Sequence, residues 1–249
     1  VKCPDCGAEN PDWKRICGGC AKVLPEGPRP AEKGSSSAGG AIEASAVSTK
    51  MKLDYLHGIA DPTQRRLDGV QALLAHFRRP QMDIDALLKD AVNMISRQMG
   101  IDGVAIGLRD QKDGLYRYKA MAGFRPDAVE ALRRIAYRKE QFYEDPEYHG
   151  TDISKQSRLY LAEDNVIPAG DQNSFNRPAL LKMKRTSLAE SLEGDYIDVK
   201  ILGPFDELLG WIEISGTRTM KLPDIASIKC VEIVASIVGA AVALKAARG

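Results

Sequence analysis

Four of the chain's five cysteines fall within eighteen residues, "CPDCGAENPDWKRICGGC", from Cys3 to Cys20. They form two C-x-x-C pairs, Cys3/Cys6 and Cys17/Cys20, with ten residues between them. A segment this short cannot build a sufficient apolar core, so it needs a cross-link or an ion to hold a fold. Each C-x-x-C makes a turn that aims two sulfurs at one point. Two such turns offer four thiolates to a tetrahedral ion, and a complete thiolate set leaves no position for substrate. The expected cofactor is therefore a structural Zn2+. Iron in a rubredoxin-like site fits the same spacing. A disulfide pair or a redox C-x-x-C is the alternative without metal. The N-terminal stretch has no basic segment followed by an apolar one, so a cytoplasmic, reducing setting is expected, which favours metal.

Composition changes sharply behind this module. Residues 25–50, beginning "PEGPRPAEKGSSSAGGAIEAS", are mostly Gly, Ser, Ala and Pro with almost no large apolar side chain. Such a segment cannot offset its ordering entropy, which makes it a flexible linker between residues 1–24 and a larger domain at 51–249. The whole chain is 44% hydrophobic and 28% charged with a net charge of +1, so nothing draws it generally to nucleic acid or to an anionic membrane. In the module itself Lys2, Lys14, Arg15 and Lys22 are nearly balanced by Asp5, Glu9 and Asp12. That balance favours a protein partner for the module, with nucleic acid as the weaker alternative. Trp13 is its one large aromatic residue and is expected to pack over the knuckles.

In the larger domain, Asp61-Pro62 signals a helix start, with Leu67, Val70, Leu74 and Phe77 at helical spacing. A second helix is expected from Asp83 to Met99, burying Ile84, Leu87, Leu88, Ala91 and Ile95 and stopping at Gly100. The period then becomes two in "DGVAIGLRD", with "LYRYKAMAG" completing a hairpin, and "RPDAVEALRRIAYRKEQF" reads as helix again. Residues 144–194 carry little regular signal apart from a strand at "SRLYLAED", a pattern expected of a functional cover. "DYIDVKIL" and "ELLGWIEISG" are alternating strands, and Pro223 begins a long apolar helix. Lys229 and Glu232 inside that helix argue for a buried helix rather than a membrane span.

Alternation also sorts the strands by face. Ile197, Val199, Ile201, Ile212, Ile214, Val104, Ile106 and Leu108 should meet the helices. Asp198, Lys200, Trp211, Glu213 and Arg109 must then share the other face with Ala105 and Gly107. Charges on central strands are costly unless paired or hydrated. The face is thus either a polar ligand pocket with an aromatic wall or a solvated surface with cross-strand ion pairs.

This element order resembles the GAF family of small-molecule sensor domains across residues 60–248. The likeness rests on "LLGWIEISGTRTMKLPDIASIKCVEIVASIVGAAVAL", similar to that family's final strand and closing helix, and on "SRLYLAEDNVIP", similar to its third strand and loop. It implies an α+β fold: a central antiparallel sheet of five or six strands, helices on one face and an irregular ligand-covering segment on the other. Residues 1–24 resemble the short four-cysteine zinc ribbons that precede other domains in prokaryotic chains. The GAF resemblance adds Tyr160, Phe175 and His149 to the candidate ligand-binding residues, with Tyr148, Asp152 and Asn176 beside them. His149 enters because some GAF domains bind haem or metals. Bilin-binding members attach chromophore through a pocket cysteine, and residues 144–194 have none; Cys230 sits among apolar helix neighbours and is expected to be inert. No nucleophile set or phosphate loop appears, so a non-enzymatic sensor is expected. It would signal as a homodimer through its first and last helices, where small Ala235, Gly239, Ala240 and Ala241 suit close packing. An enzyme on the GAF fold, acting through Glu213 or Asp198, is the less favoured reading.

Overall fold

The computed structural model describes residues 1–10, 17, 19–20, 22, 24, 48–53, 61–142, 148–165 and 167–248. The chain divides into two compact units, Val1–Asp54 and Tyr55–Gly249. The expected linker at 25–50 lies outside the described residues except for its last three, which open a short exposed helix over 48–53. Trp13, Lys14 and Arg15 also lie outside them.

The larger unit is α+β. Six antiparallel strands, β1 (Val104–Arg109), β2 (Tyr116–Ala122), β3 (Gly150–Asp152), β4 (Ser157–Tyr160), β5 (Tyr196–Leu202) and β6 (Leu208–Ile214), form one sheet in the order β2-β1-β6-β5-β4-β3. Helices α1 (Pro62–Leu74), α2 (Ile84–Met99) and α4 (Ile225–Arg248) pack on one face, and α3 (Pro126–Arg134) follows β2. The eight apolar strand residues assigned by alternation to the helix face all lie in the main core with α2 and α4. Ala105 and Trp211 lie in a separate aromatic cluster on the opposite face.

Helix ends follow local chemistry. Asp61 caps α1 by accepting from Thr63 N at 2.6 Å, and Asp224 caps α4 by accepting from Ser227 N at 2.6 Å. Gly100 ends α2 in the left-handed region at φ 67°. The expected apolar stripe of α1 is rotated: Val70 and Phe77 pack on the core, but Leu67 and Leu74 are exposed. Gly69 explains the rotation. A Cβ there would come within 2.7 Å of Met94 Cγ on α2, so the glycine is the contact point and Leu73 packs beside it.

Helix α4 is long and apolar enough to cross a bilayer by length and composition. Here Val231, Val234, Ala235, Val238 and Ala241 are buried in the core of the unit. A Cβ on Gly239 would stand 2.2 Å from the Leu202 carbonyl oxygen, so that glycine seats α4 on the sheet. Of the four small residues expected at a helix–helix interface, only Ala240 is exposed; the other three serve this seat and the core. Glu232 is buried but satisfied, accepting from Ser154 Oγ, Ser157 Oγ and Lys229 Nζ at 2.5–2.7 Å. Cys230 is a free, buried thiol whose burial pushes its pKa up, as expected of an inert cysteine.

Candidate functional site

The smaller unit contains the cysteine module. Cys3 N donates to the Ala8 carbonyl and Gly7 N to the Cys3 carbonyl, both at 2.9 Å, closing the first knuckle over Gly7 at φ 73°. In the second, Gly19 N points at Cys17 Sγ at 3.3 Å. All four thiols are free, and their sulfurs lie within 4.8 Å of one another. Cys3 Sγ is 3.6 Å from Cys20 Sγ, and Cys6 Sγ is 3.5 Å from Cys17 Sγ. A tetrahedral ion with metal–sulfur bonds of about 2.3 Å needs sulfur–sulfur edges of about 3.8 Å. The cluster fits that geometry, so these four side chains can hold one metal ion. Backbone N–H groups of Cys20 and Gly19 lower the Cys17 thiol to about 6, whereas the Cys20 thiol, against a bond from Lys22 N, is pushed up to about 12 by the neighbouring Cys6 sulfur and by burial.

In the larger unit, the sheet face opposite the helices carries a cavity of about 360 Å³, within the usual range for small-molecule sites. Among the described residues nine aromatic side chains line it, a concentration that marks it off from the aliphatic core on the helix face. Trp211 stands at its floor, 1% exposed, with ring centroids of Phe142, Tyr118 and Tyr137 at 4.8, 4.9 and 5.7 Å. Tyr160 and Tyr196 stack on one another at 4.6 Å farther along the wall. Gly107 lies across from Trp211 in the β1–β6 register and leaves room for the indole.

Two carboxyl groups share this space. Asp198 on β5 and Glu213 on β6 are register partners. Tyr118 Oη donates to Glu213 Oε2 at 2.7 Å. Asp198 is 7% exposed, and its buried Oδ1 has no hydrogen-bond partner among the described residues. Burial pushes Asp198 well above the usual carboxylate range, and the neighbouring Glu213 charge adds to the effect. Burial raises Glu213 too, against the opposing bond from Tyr118. A buried group left unpaired costs stability and marks a candidate functional position.

That cost yields a prediction for the unliganded protein. Because the folded state holds the Asp198 proton more tightly than the unfolded chain, its contribution to stability is present at low pH. It is lost as pH rises from about 4, the ordinary aspartate value, through the raised one. Asp198→Asn should stabilise the unliganded protein at pH 7 by about 1–2 kcal/mol, a few degrees in Tm, and flatten that pH slope. Melting curves between pH 4 and 8 check it; a variant less stable than wild type at pH 7 contradicts it.

The segment over the cavity is irregular but extensively pinned. Asp195, 2% exposed, accepts from Ala162 N, Leu192 N and Arg185 Nη2 at 2.8–2.9 Å, and Arg185 also grips Glu163. Arg125 donates to the carbonyls of Phe175 and Asn173, and Asn176 bridges Arg125 N and the Gly123 carbonyl. Asn165 ties its loop to both backbone groups of His149.

Trp211, Glu213, Asp198, Tyr160 and Phe175 line the cavity, as do Tyr148 and Asn176. Lys200, Arg109 and His149 do not. Lys200 occupies the Asp198 face, beside Trp211 in the register, but its side chain does not line the cavity. Arg109 is at the far end of β1, exposed and paired with Glu207 at 2.9 Å. His149 is exposed and contributes its backbone to Asn165. Asp152, at the edge strand, lies within 3.6 Å of Arg158 and outside the cavity.

Sequence reasoning missed Tyr118, Tyr137, Phe142 and Tyr196. The helix expected through Phe142 ends at Arg134. Ile135 turns extended, and Tyr137 exchanges two 2.9 Å backbone bonds with Tyr116. The chain then makes a short 3-10 turn over Lys139–Gln141, and Ile135, Tyr137 and Phe142 all pack around Trp211. Tyr196 was legible: it lies two residues before Asp198 and so shares its face.

No protein-family model matches the chain, and no curated protein matches it. Similar solved structures include the GAF domain of a phosphoenolpyruvate-protein phosphotransferase from Acinetobacter (13% identity, TM-score 0.47, covering 74% of this chain and 95% of that one). A second is the GAF domain of a phosphoenolpyruvate-protein phosphotransferase from Coxiella burnetii (15%, 0.47, 75% and 98%). A third is the phycocyanobilin-bound GAF domain of a cyanobacterial phytochrome (12%, 0.46, 72% and 94%).

Proposed function

We propose that the larger unit is a non-enzymatic, cytoplasmic sensor domain that binds a small molecule in the cavity on its sheet. The observation that carries this reading is the aromatic cavity holding the buried Asp198, whose Oδ1 has no partner among the described residues. A sheet face serving structure alone gains nothing from an unsatisfied carboxyl there, whereas a ligand would satisfy it. The test is equilibrium dialysis of the full chain against the small-molecule fraction of its own cells, with Trp211→Leu as control. A compound concentrated by the wild type and not by the variant supports the reading; equal recovery with both contradicts it.

Output would pass through the helical layer as a homodimer. Leu67 and Leu74 on α1, and Ile225 and Ile233 on α4, are large apolar side chains exposed on that layer. The full chain should sediment as a dimer at micromolar concentration, and Leu67→Glu with Ile233→Glu should make it a folded monomer. A wild-type monomer contradicts this part.

The cysteine module would hold Zn2+ structurally and dock a partner protein. A nucleic-acid role would draw on its four basic residues, but Lys22 already pairs with Asp5 at 3.0 Å, which favours the protein reading. A salt-sensitive gel shift lost on mutating Lys14 and Arg15 would reverse that preference.

A further inference from the structure

We propose that the cavity takes an organic cation, an ammonium or guanidinium group on a small apolar body, with Asp198 and Glu213 as counter-charges and Trp211, Tyr118 and Tyr137 as its wall. This rests on the sensing reading above and names the class of ligand.

The charge around the cavity supports it. Among the described residues, six carboxylate residues line the space: Asp102, Asp171, Glu193, Asp195, Asp198 and Glu213. Among the described residues, Arg177 is the one cationic residue lining it, and it is engaged by Asp102 at 3.1 Å and Glu193 at 2.8 Å. Asp195 is satisfied by Arg185. Among the described residues, no lysine or arginine forms an ion pair with Asp198 or Glu213. An anionic ligand would meet like charge, and a neutral one would leave the pair uncompensated. A cation would supply the missing charge and donate to the free oxygen of Asp198. The aromatic wall adds to this, because ring faces attract cations most strongly where water is excluded. Pocket walls of aromatic rings with a few convergent polar groups are also how proteins orient small ligands.

The unliganded pair can lower its cost by holding a proton, which a cation must displace, so binding should strengthen as pH rises. The groups facing the pair are Tyr118 from β2, Tyr137 after α3, Arg158 and Tyr160 from β4, Tyr196 and Lys200 from β5, and Tyr148 and Asp195 from the cover. Burial holds Tyr118, Tyr137, Tyr160 and Tyr196 above the usual phenol range. Those four therefore stay protonated across neutral pH and leave the carboxyls as the groups that respond.

The experiment titrates four probes of similar size into the full chain, followed by ligand-observed NMR: benzylammonium, benzyltrimethylammonium, benzyl alcohol and benzoate. The two cations should bind on the order of tenfold or more tighter than benzyl alcohol, and benzoate most weakly. Cation affinity should rise between pH about 5 and 8. Asp198→Asn and, separately, Glu213→Gln should each lower cation affinity by about tenfold while leaving benzyl alcohol within about twofold. Melting curves of both variants confirm that they fold. If benzyl alcohol or benzoate matches the cations, or if neither variant weakens cation binding, the charge assignment is overturned and the sensing pocket stands. If none of the four binds the wild type, both fall.

Discussion

Gly107→Ala should cost the larger unit about 3 kcal/mol, a fall of roughly 6–12 °C in Tm. The reason is local and severe. A Cβ at this position would stand 2.0 Å from both Cη2 and Cζ3 of Trp211, and 2.6 Å from Cε3. The indole cannot retreat easily, because Phe142, Tyr118 and Tyr137 surround it edge-on or tilted within 5.7 Å. The variant must therefore expel the ring from the cavity floor or separate β1 from β6. Either outcome removes the wall on which a ligand would rest, so binding should be lost along with stability. Trp211→Leu in the same background should recover part of the loss, because the two positions share one volume. Differential scanning calorimetry of the two single variants and the double closes the cycle. Strict additivity would show that the glycine and the indole are not in contact.

Removing the metal should have the largest effect on the smaller unit. Apparent binding energies for structural zinc in such modules are on the order of 10–16 kcal/mol, and that energy is folding energy. Among the described residues its buried core comprises Cys3, Cys17 and Leu24, with Ala8 and Cys20 packed against them, and a module of about two dozen residues is too short to hold a fold without a cross-link or an ion. The chain should bind one Zn2+ per four thiols. Cys17→Ser should weaken it by on the order of 100-fold or more, since the buried ligand is replaced by a poorer donor. Co2+ substitution, giving tetrahedral thiolate absorption in the wild type and not in Cys17→Ser, is the readout. Meanwhile the Tm of the larger unit should not move, because its core contains none of these cysteines. A wild-type chain that binds no metal, or a variant that keeps it, contradicts the assignment.

The sheet was legible because strand alternation is a strict geometric rule. Ile197, Val199 and Ile201 could face the helices only if Asp198 faced away, and the same held for Trp211 and Glu213 on β6. Alternation gives a face but no position along it, so it groups Lys200 and Arg109 with a cavity they do not line. It also fails at bulges. The register of β2 slips between Ile106 and Gly107 of its partner, leaving Lys119 unmatched. Tyr116 and Tyr118 consequently join the aromatic cluster while Ala120 and Ala122 pack on the helix-side core. Tyr137 and Phe142 were hidden for a different reason. Their segment has helix-compatible composition, and burial against Trp211 favours an extended stretch followed by a short 3-10 turn. The pins of the cover, Arg185 to Asp195 and Asn165 to His149, join residues with no periodic relation, so no local pattern could reveal them. The cysteine set was the opposite case, since spacing alone brought four sulfurs to one point.

Native mass spectrometry of the full chain isolated from its own cells, beside Asp198→Asn made in the same way, asks whether the cavity is occupied in use. If the sheet cavity is a ligand site completed by Asp198, the wild type carries a discrete small-molecule mass, released as a cation, and the variant carries none. Wild type and variant that are both bare, or that both carry the same compound in equal amount, would contradict it.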